Sequence, residues 1–522
     1  MSARRLVFSL VLLAVVSAVP PSRAGGDTAR IAQALIAGLD YEAARRELAS
    51  ADAADPAVAL ERARLAIYQL DCDGAAAILA RPEVQAVPGG DQLGDIARGC
   101  QRATAALVED RDEARGIEVH WQDEHDRALA PLLLDTVAAA REVLAAELGI
   151  DWPLPTRIVV VRDLLSLSAM TGLPYASAQT TGTVAVAKWG RVTLLSPRAS
   201  PHGYPWRDTL AHELAHLAVT RATRDRAPLW LQEGVAKREE VRWREPGPFD
   251  ARPSPDAVVT RGRELGISYA LDKLGPSIAM LPSADTAMVA FAEVTSFVRF
   301  YVESAGDEAL PKLLRALKEG ADADAALSSV SGADLKTWDA RWRAHISALP
   351  RTSLPPMFGL GAPQESRAKL RDLRDRSRLA QLLLSRGHAA EALTELDRME
   401  LGGSPVSPEG WARTMGDPSA RWLLGRALEL AGRREEGEPL VADPADVTSS
   451  YGPWWAMRGR WVRSKGDEAE AAHSFFQAVA ADPLDPEGAC EAVDPRGRPS
   501  APSGTPLCEA ARAYAPPPYD AD

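Results

Sequence analysis

The chain has 522 residues, 46% of them hydrophobic and 25% charged, and a formal net charge of -12. That length divides into about three or four domains, and the composition is that of a folded globular protein. The acidic balance excludes a general nucleic-acid binder, which would carry a basic face.

The first residues read as an export signal. Arg4 and Arg5 precede an apolar run, Leu6 to Val19, which Pro20 and Pro21 end. Ser22-Arg23-Ala24 then offers a small-x-small cleavage site, so residues 1–24 are expected to be removed. The run is too short for a comfortable membrane span, and no later stretch is apolar for long enough. The mature protein is expected to be soluble and periplasmic or extracellular. Four cysteines fall in two local pairs, Cys72 with Cys100 and Cys490 with Cys508. In an oxidising compartment each pair can close a local disulfide, worth about 3 kcal/mol through the unfolded chain. Without a Cys-x-x-Cys spacing they do not form a zinc site.

From residue 25 to about 112 the periodicity is helical, with stripes such as Ile31, Ala34, Leu35 and Leu39. Short Ala-rich helices in successive pairs predict tetratricopeptide-like hairpins. Composition changes after Asp112. Gly116 to Trp121 alternates like a short strand, Arg127 to Leu148 is amphipathic, and Pro155 to Val161 is a buried-strand run. Thr183 to Ala187 and Arg191 to Leu195 flank Lys188-Trp189-Gly190 as a hairpin. Helical patterns follow to about Pro350, around a loop-like stretch from Arg242 to Pro255. Residues 113–350 therefore form an α+β unit, a small mixed sheet followed by helices. Residues 351–365 read as a linker. Helical hairpins return over 366–493, most clearly Trp454 to Ser464 with Ala469 to Ala481. The tail from 494 to 522 is rich in Pro, Gly, Ser and Ala and is expected to be largely irregular.

The chemistry concentrates in one stretch of the middle unit. His212-Glu213-Leu214-Ala215-His216 lies on a predicted helix, where residues four apart share a face. Both imidazoles can thus point at one ion, with Glu213 beside them to handle the proton of a water. A zinc site needs a third protein ligand and one open position. Glu233 is the natural candidate: it starts the next helix among Trp230, Leu231 and Val235, and a buried carboxylate needs a partner. Asp208, one turn before His212, is a candidate partner for the histidine rings. His120, His125, His345, His388 and His473 are scattered without ligand spacing.

These residues carry a resemblance. His212-Glu213-Leu214-Ala215-His216, followed by Pro228-Leu229-Trp230-Leu231-Gln232-Glu233-Gly234-Val235-Ala236, looks like the gluzincin metallopeptidases, specifically the peptidase MA-like domains, over roughly Gly116 to Pro350. The resemblance implies a thermolysin-like domain, Zn2+ held by His212, His216 and Glu233, and Glu213 as general base; many such proteins also carry tetratricopeptide repeats. It implies an exported zinc metallopeptidase acting on a peptide or protein substrate, with the repeats recruiting substrate or a protein partner. The other expectation is a repeat-based interaction scaffold with a weak or inactive zinc-binding domain. One departure bears on this choice: gluzincins often use a Tyr or His to stabilise the oxyanion, and this chain places Phe291 where relatives often have Tyr. His202, Tyr204, Tyr269 and Tyr301 are the open substitutes. The strand Arg191 to Leu195, or its hairpin mate, is expected to pair an extended peptide by strand addition. No Gly-x-Met-Glu-Asn type motif is present, so aminopeptidase action is not expected.

Overall fold

The computed structural model describes residues 23–199, 204–245, 250, 253–351, 354, 360, 376–398, 400–401, 404–405, 418–442, 451–491 and 506–514. Residues 1–22 of the expected export signal (1–24), His202 and most of the 351–365 linker lie outside these residues; residues 23 and 24 begin the first helix.

Six helices open the chain: α1 (Arg23–Ala37), α2 (Tyr41–Ala49), α3 (Pro56–Tyr68), α4 (Cys72–Leu79), α5 (Pro82–Gln85) and α6 (Gly90–Thr104). Their starts are written in local chemistry. Asp40, Asp55 and Asp71 each accept a backbone N–H of the following first turn, satisfying donors that a helix start leaves unpaired. Cys72 and Cys100 are bonded to each other and so tie α4 to α6.

The helical reading to residue 112 runs too far. Val108–Asp112 is β1, the first strand of a five-stranded sheet with β2 (Ile117–Trp121), β3 (Thr156–Val161), β4 (Ala185–Lys188) and β5 (Arg191–Leu195). The order is β1-β2-β3-β5-β4; β1–β2 and β4–β5 are antiparallel, and β2–β3 and β3–β5 are parallel. β1 escapes periodicity because its sequence, Val-Glu-Asp-Arg-Asp, is an edge strand with no apolar stripe. Charged side chains of that kind protect an edge from unwanted pairing. β3 and β5 are buried almost throughout because helices cover both faces.

Between strands lie α7 (Ala130–Leu148), α8 (Leu164–Thr171) and α9 (Tyr175–Thr181), and after the sheet come α10 (Trp206–Thr223) and α11 (Leu229–Glu239). Then follow α12 (Pro255–Glu264), α13 (Ala284–Ala305), α14 (Ala309–Glu319), α15 (Ala323–Ser331) and α16 (Leu335–Ala348). Periodicity does not mark α8, α9 or α12: each is short, and α8 and α9 bury few side chains. α10 is the hub, packed against α7, α11, α14 and the β4–β5 hairpin. Trp206, Leu210, Leu214 and Ala218 are all fully buried. Trp230 of α11, Phe297 of α13 and Trp342 of α16 continue the core as an edge-to-face chain with centroids 5.3 and 5.8 Å apart.

The flanking helices are not all separate from this unit. Ala32, Ile36, Leu39, Ala44 and Leu48 belong to the same buried cluster as Val192, Leu214 and Phe297. At the far end the pair Gly452–Ser464 and Glu468–Ala481 docks on the start of α10. The Tyr204 N–H donates to the Ala481 carbonyl at 2.9 Å, and Val479 and Leu484 join the same cluster. The helices over 376–397 and 418–440 bury a core of their own. Part of the tail expected to be irregular is a helix, Pro506–Tyr514, bonded through Cys508 to Cys490. No helix of the described residues is long and apolar enough to cross a membrane.

Candidate metal centre

α10 and α11 cross so that three groups from different turns converge. His212 Nε2 and His216 Nε2 lie 3.2 Å apart. Glu233 Oε2 stands 3.6 Å from the first and 3.4 Å from the second. Three atoms at the corners of such a triangle match the edges of a tetrahedron whose centre lies about 2.0–2.1 Å from each ligand, the zinc–nitrogen and zinc–oxygen distance. The donor set passes a chemical test as well. Two imidazole nitrogens this close cannot both carry protons comfortably, so at least one presents a lone pair to its neighbour. The residues fit a divalent cation.

The helices explain the convergence. His212 and His216 are one turn apart on α10, on the face toward α11. Gly234 lets α11 approach α13: a Cβ there would stand 2.3 Å from Val298 Cγ2 and 2.8 Å from the Val294 carbonyl oxygen. That close approach seats Glu233, 9% exposed, against the histidines.

The outer nitrogens of both rings are also held. His212 Nδ1 faces Glu240 Oε2 at 3.2 Å, and His216 Nδ1 faces Gln232 Oε1 at 3.3 Å. Partners of this kind fix ring orientation and tautomer. Asp208 does not take this role. Its carboxylate accepts from Trp243 Nε1 at 3.0 Å and from Arg244 at 2.9 and 2.7 Å, away from the histidines. The sequence did hold the signal for Glu240, which sits seven residues after Glu233, two turns along one face. Lys237 completes the cluster, its ammonium 2.8 Å from both Glu240 oxygens.

Electrostatically the site is built for positive charge. Burial alone would lower the His212 pKa, but its bonds to Glu233 and Glu240 carry it up to about 9. Burial would raise Glu233 and Glu240. Instead the histidines hold Glu233 well below the usual carboxylate range, while Lys237 and His212 bring Glu240 down to about 2. Glu213 behaves differently. Burial raises its carboxyl against the pull of both histidines, and its Oε2 accepts the N–H of Ala187 in β4. The edge strand thus aims the carboxylate of Glu213 beside the triangle.

The site opens into a cleft enclosing roughly 750 Å³ between β4, α10, α11 and the stretch Pro276–Met280. Of the two hairpin strands offered from sequence for pairing a peptide, β5 lies inside the sheet between β3 and β4 and cannot take another strand. β4 is the edge of the sheet on the cleft side. Of the four candidate oxyanion donors, His202 is outside the described residues. Tyr204 is buried and donates its hydroxyl to the Leu195 carbonyl. Tyr301 packs edge-on against Trp338 with centroids 5.0 Å apart. Tyr269 does not line the cleft, whereas Phe291 does, 6.5 Å from the His212 ring centroid. A tyrosine from outside this unit, Tyr68 of α3, also lines it. His120, set aside in the sequence, lies beside Glu109 and Glu118 on β1 and β2. Those carboxylates are paired with Arg111 and, at 2.7 Å, Arg157.

Residues 177–348 match the model of the Peptidase MA superfamily. The matched segment covers β4, β5 and α10 to α16, and so contains His212, Glu213, His216 and Glu233. The similarity supports a metallopeptidase-like domain of the peptidase hydrolase type. The peptidase MA-like segment begins after β3, whereas the sheet that carries β4 begins at Val108, so the folded unit is larger than the match. No curated protein matches the chain.

Proposed function

We propose that this protein is an exported zinc metallopeptidase that hydrolyses peptide bonds. The observation that carries the reading is the His212–His216–Glu233 triangle with the Glu213 carboxylate beside it in an open cleft. His212, His216 and Glu233 would hold the ion, and Glu240 and Gln232 would orient the rings. Zinc held there supplies Lewis acidity, polarising a carbonyl oxygen and making water a nucleophile near neutral pH.

The chain's own groups do the rest. An extended substrate pairs with the outer edge of β4. The Leu195 N–H donates to the Val184 carbonyl, so alternation turns the Ala185 backbone groups and the Ala187 carbonyl outward, toward the cleft, while the Ala187 N–H is held by Glu213. Glu213 takes the proton of the attacking water as it adds to the scissile carbonyl, then returns it to the leaving amine. A carboxyl raised by burial is suited to both halves of that transfer. The helical hairpins at 366–493, read as tetratricopeptide-like, offer surfaces for recruiting a protein partner.

The full-length mature protein, purified and assayed for metal and for cleavage of a peptide library, tests this reading. One zinc per chain, with cleavage abolished by a chelator and restored by zinc, is the expected result; absence of stoichiometric zinc would overturn it. At a thousandfold excess over its Kd, zinc should stabilise the fold by about 4 kcal/mol. Chelation should then lower Tm by roughly 6 °C. Glu240→Ala should weaken zinc about 10- to 100-fold in a competition titration with a chromogenic chelator; an unaltered affinity would remove Glu240 from the site. One observation favours the second reading, a zinc-binding scaffold of low activity. Phe291 offers no hydroxyl beside His212, and Tyr204 has its own bound to Leu195. Zinc at one per chain without cleavage of any library peptide would select it.

A further inference from the structure

The cleft continues past His216 along the last turns of α10. That end is lined by Leu217, Asp225 and Leu229, with Leu39 and Tyr68 from the N-terminal helices and Trp189 from the β4–β5 turn. The wall is mostly apolar and contains one carboxylate. The other cleft carboxylates are engaged. Glu213 accepts from Ala187, Glu233 lies between the histidines, and Glu240 is paired with Lys237. Asp225 is exposed at the mouth of the cleft and has no ion pair among the described residues, and partial desolvation there raises its carboxyl. Lys188, which also lines the cleft, stands 5.0 Å from the Trp189 ring centroid.

The backbone holds Asp225 there at a cost. Arg224 and Asp225 have φ of 53° and 60°, two successive non-glycine residues in the left-handed region. The Asp225 N–H closes α10 on the Thr220 carbonyl at 3.0 Å, and the Arg226 N–H donates to Thr223 Oγ1 at 3.3 Å. The N-terminal helices press on the same turn. Arg221 Nη1 donates to the Gly38 carbonyl at 3.4 Å, and a Cβ on Gly38 would touch Arg224.

We propose that this end of the cleft is a specificity subsite for a basic side chain of the substrate, lysine or arginine. Its apolar stem lies along Leu39, Leu217 and Leu229, and its cationic head pairs with Asp225. Long basic side chains bury their stems in this way while the head seeks a polar partner. The N-terminal helices are then part of substrate recognition, because Leu39 and Tyr68 build part of the subsite wall. This inference rests on the peptidase reading.

The test compares kcat/KM for peptide pairs that differ only by Lys or norleucine at one position, scanned through the positions around the scissile bond. In the zinc-loaded full chain one position should prefer Lys by roughly 10- to 100-fold. Asp225→Asn and Asp225→Gly should bring that ratio near one, with zinc content retained. Asn tolerates the left-handed backbone and Gly prefers it, so both should fold. Cleavage with no basic preference at any position would overturn the subsite while leaving the peptidase reading standing, as would a preference that survives both variants. If the protein binds zinc but cleaves nothing, fluorescence anisotropy with labelled Lys and norleucine peptides decides. Selective Lys binding lost in Asp225→Asn supports the subsite, and equal binding of both peptides overturns it.

Discussion

Replacing Glu213 with Gln is expected to lower kcat for peptide cleavage about a thousandfold, with zinc still bound at one per chain. Gln keeps the length and volume of Glu, and its carbonyl oxygen can still accept the Ala187 N–H. What it loses is the capacity to accept a proton and return it, a contribution of about 10²- to 10⁴-fold in general acid–base catalysis. The ion should be retained because Glu213 is not a corner of the His212–His216–Glu233 triangle. Steady-state kinetics with metal analysis on the same samples separates the two effects. A variant with wild-type kcat would mean that another group moves the proton. A variant without zinc would mean that Glu213 helps to hold the ion.

The second large effect comes from a residue that touches no substrate. Gly234→Ala should destabilise the fold by about 2–3 kcal/mol, the cost of overpacking a well-filled core. The added methyl would meet Val298 Cγ2 and the Val294 carbonyl oxygen at distances no Cβ tolerates. Both neighbours are fully buried on α13 and cannot swing away. α11 would have to move off α13 and carry Glu233 with it, so weaker zinc binding should accompany a Tm lowered by roughly 3–5 °C. Gly94→Ala is the contrasting case. There the Cβ meets only the flexible end of Arg98, at 3.2 Å, and gains up to about 1 kcal/mol of helix propensity. Equal Tm values for the two variants would refute the close-packing argument.

Much of the site was legible because its signals are local. His212 and His216 are four apart, and four residues on a helix share a face whatever else the chain does. Glu233 could be named because a carboxylate among Trp230, Leu231 and Val235 has to find a partner. Asp208 was misassigned for a related reason: one turn before His212 it can reach the same region, yet Arg244 and Trp243 claim it from a loop more than thirty residues on. Glu240 was overlooked although it lies on the face of Glu233, because α11 carries several acidic and basic residues near its end, and only packing selects among them.

The sequence by itself determined the helices and strands with clear periods, the Cys pairs as candidates, and the metal-binding face of α10. All of these depend on geometry within a few turns of chain. Tertiary structure alone decided that β4 rather than β5 is the free edge, that β1 completes the sheet, and that Tyr68 and Leu39 of the N-terminal helices wall the cleft. Apolar periodicity says which face of an element must be buried. It does not say against what, because an apolar surface is non-directional and accepts any partner that excludes water. The partner is chosen when all faces are buried together, and here that choice joined the N-terminal helices to the cleft that holds His212 and Glu213.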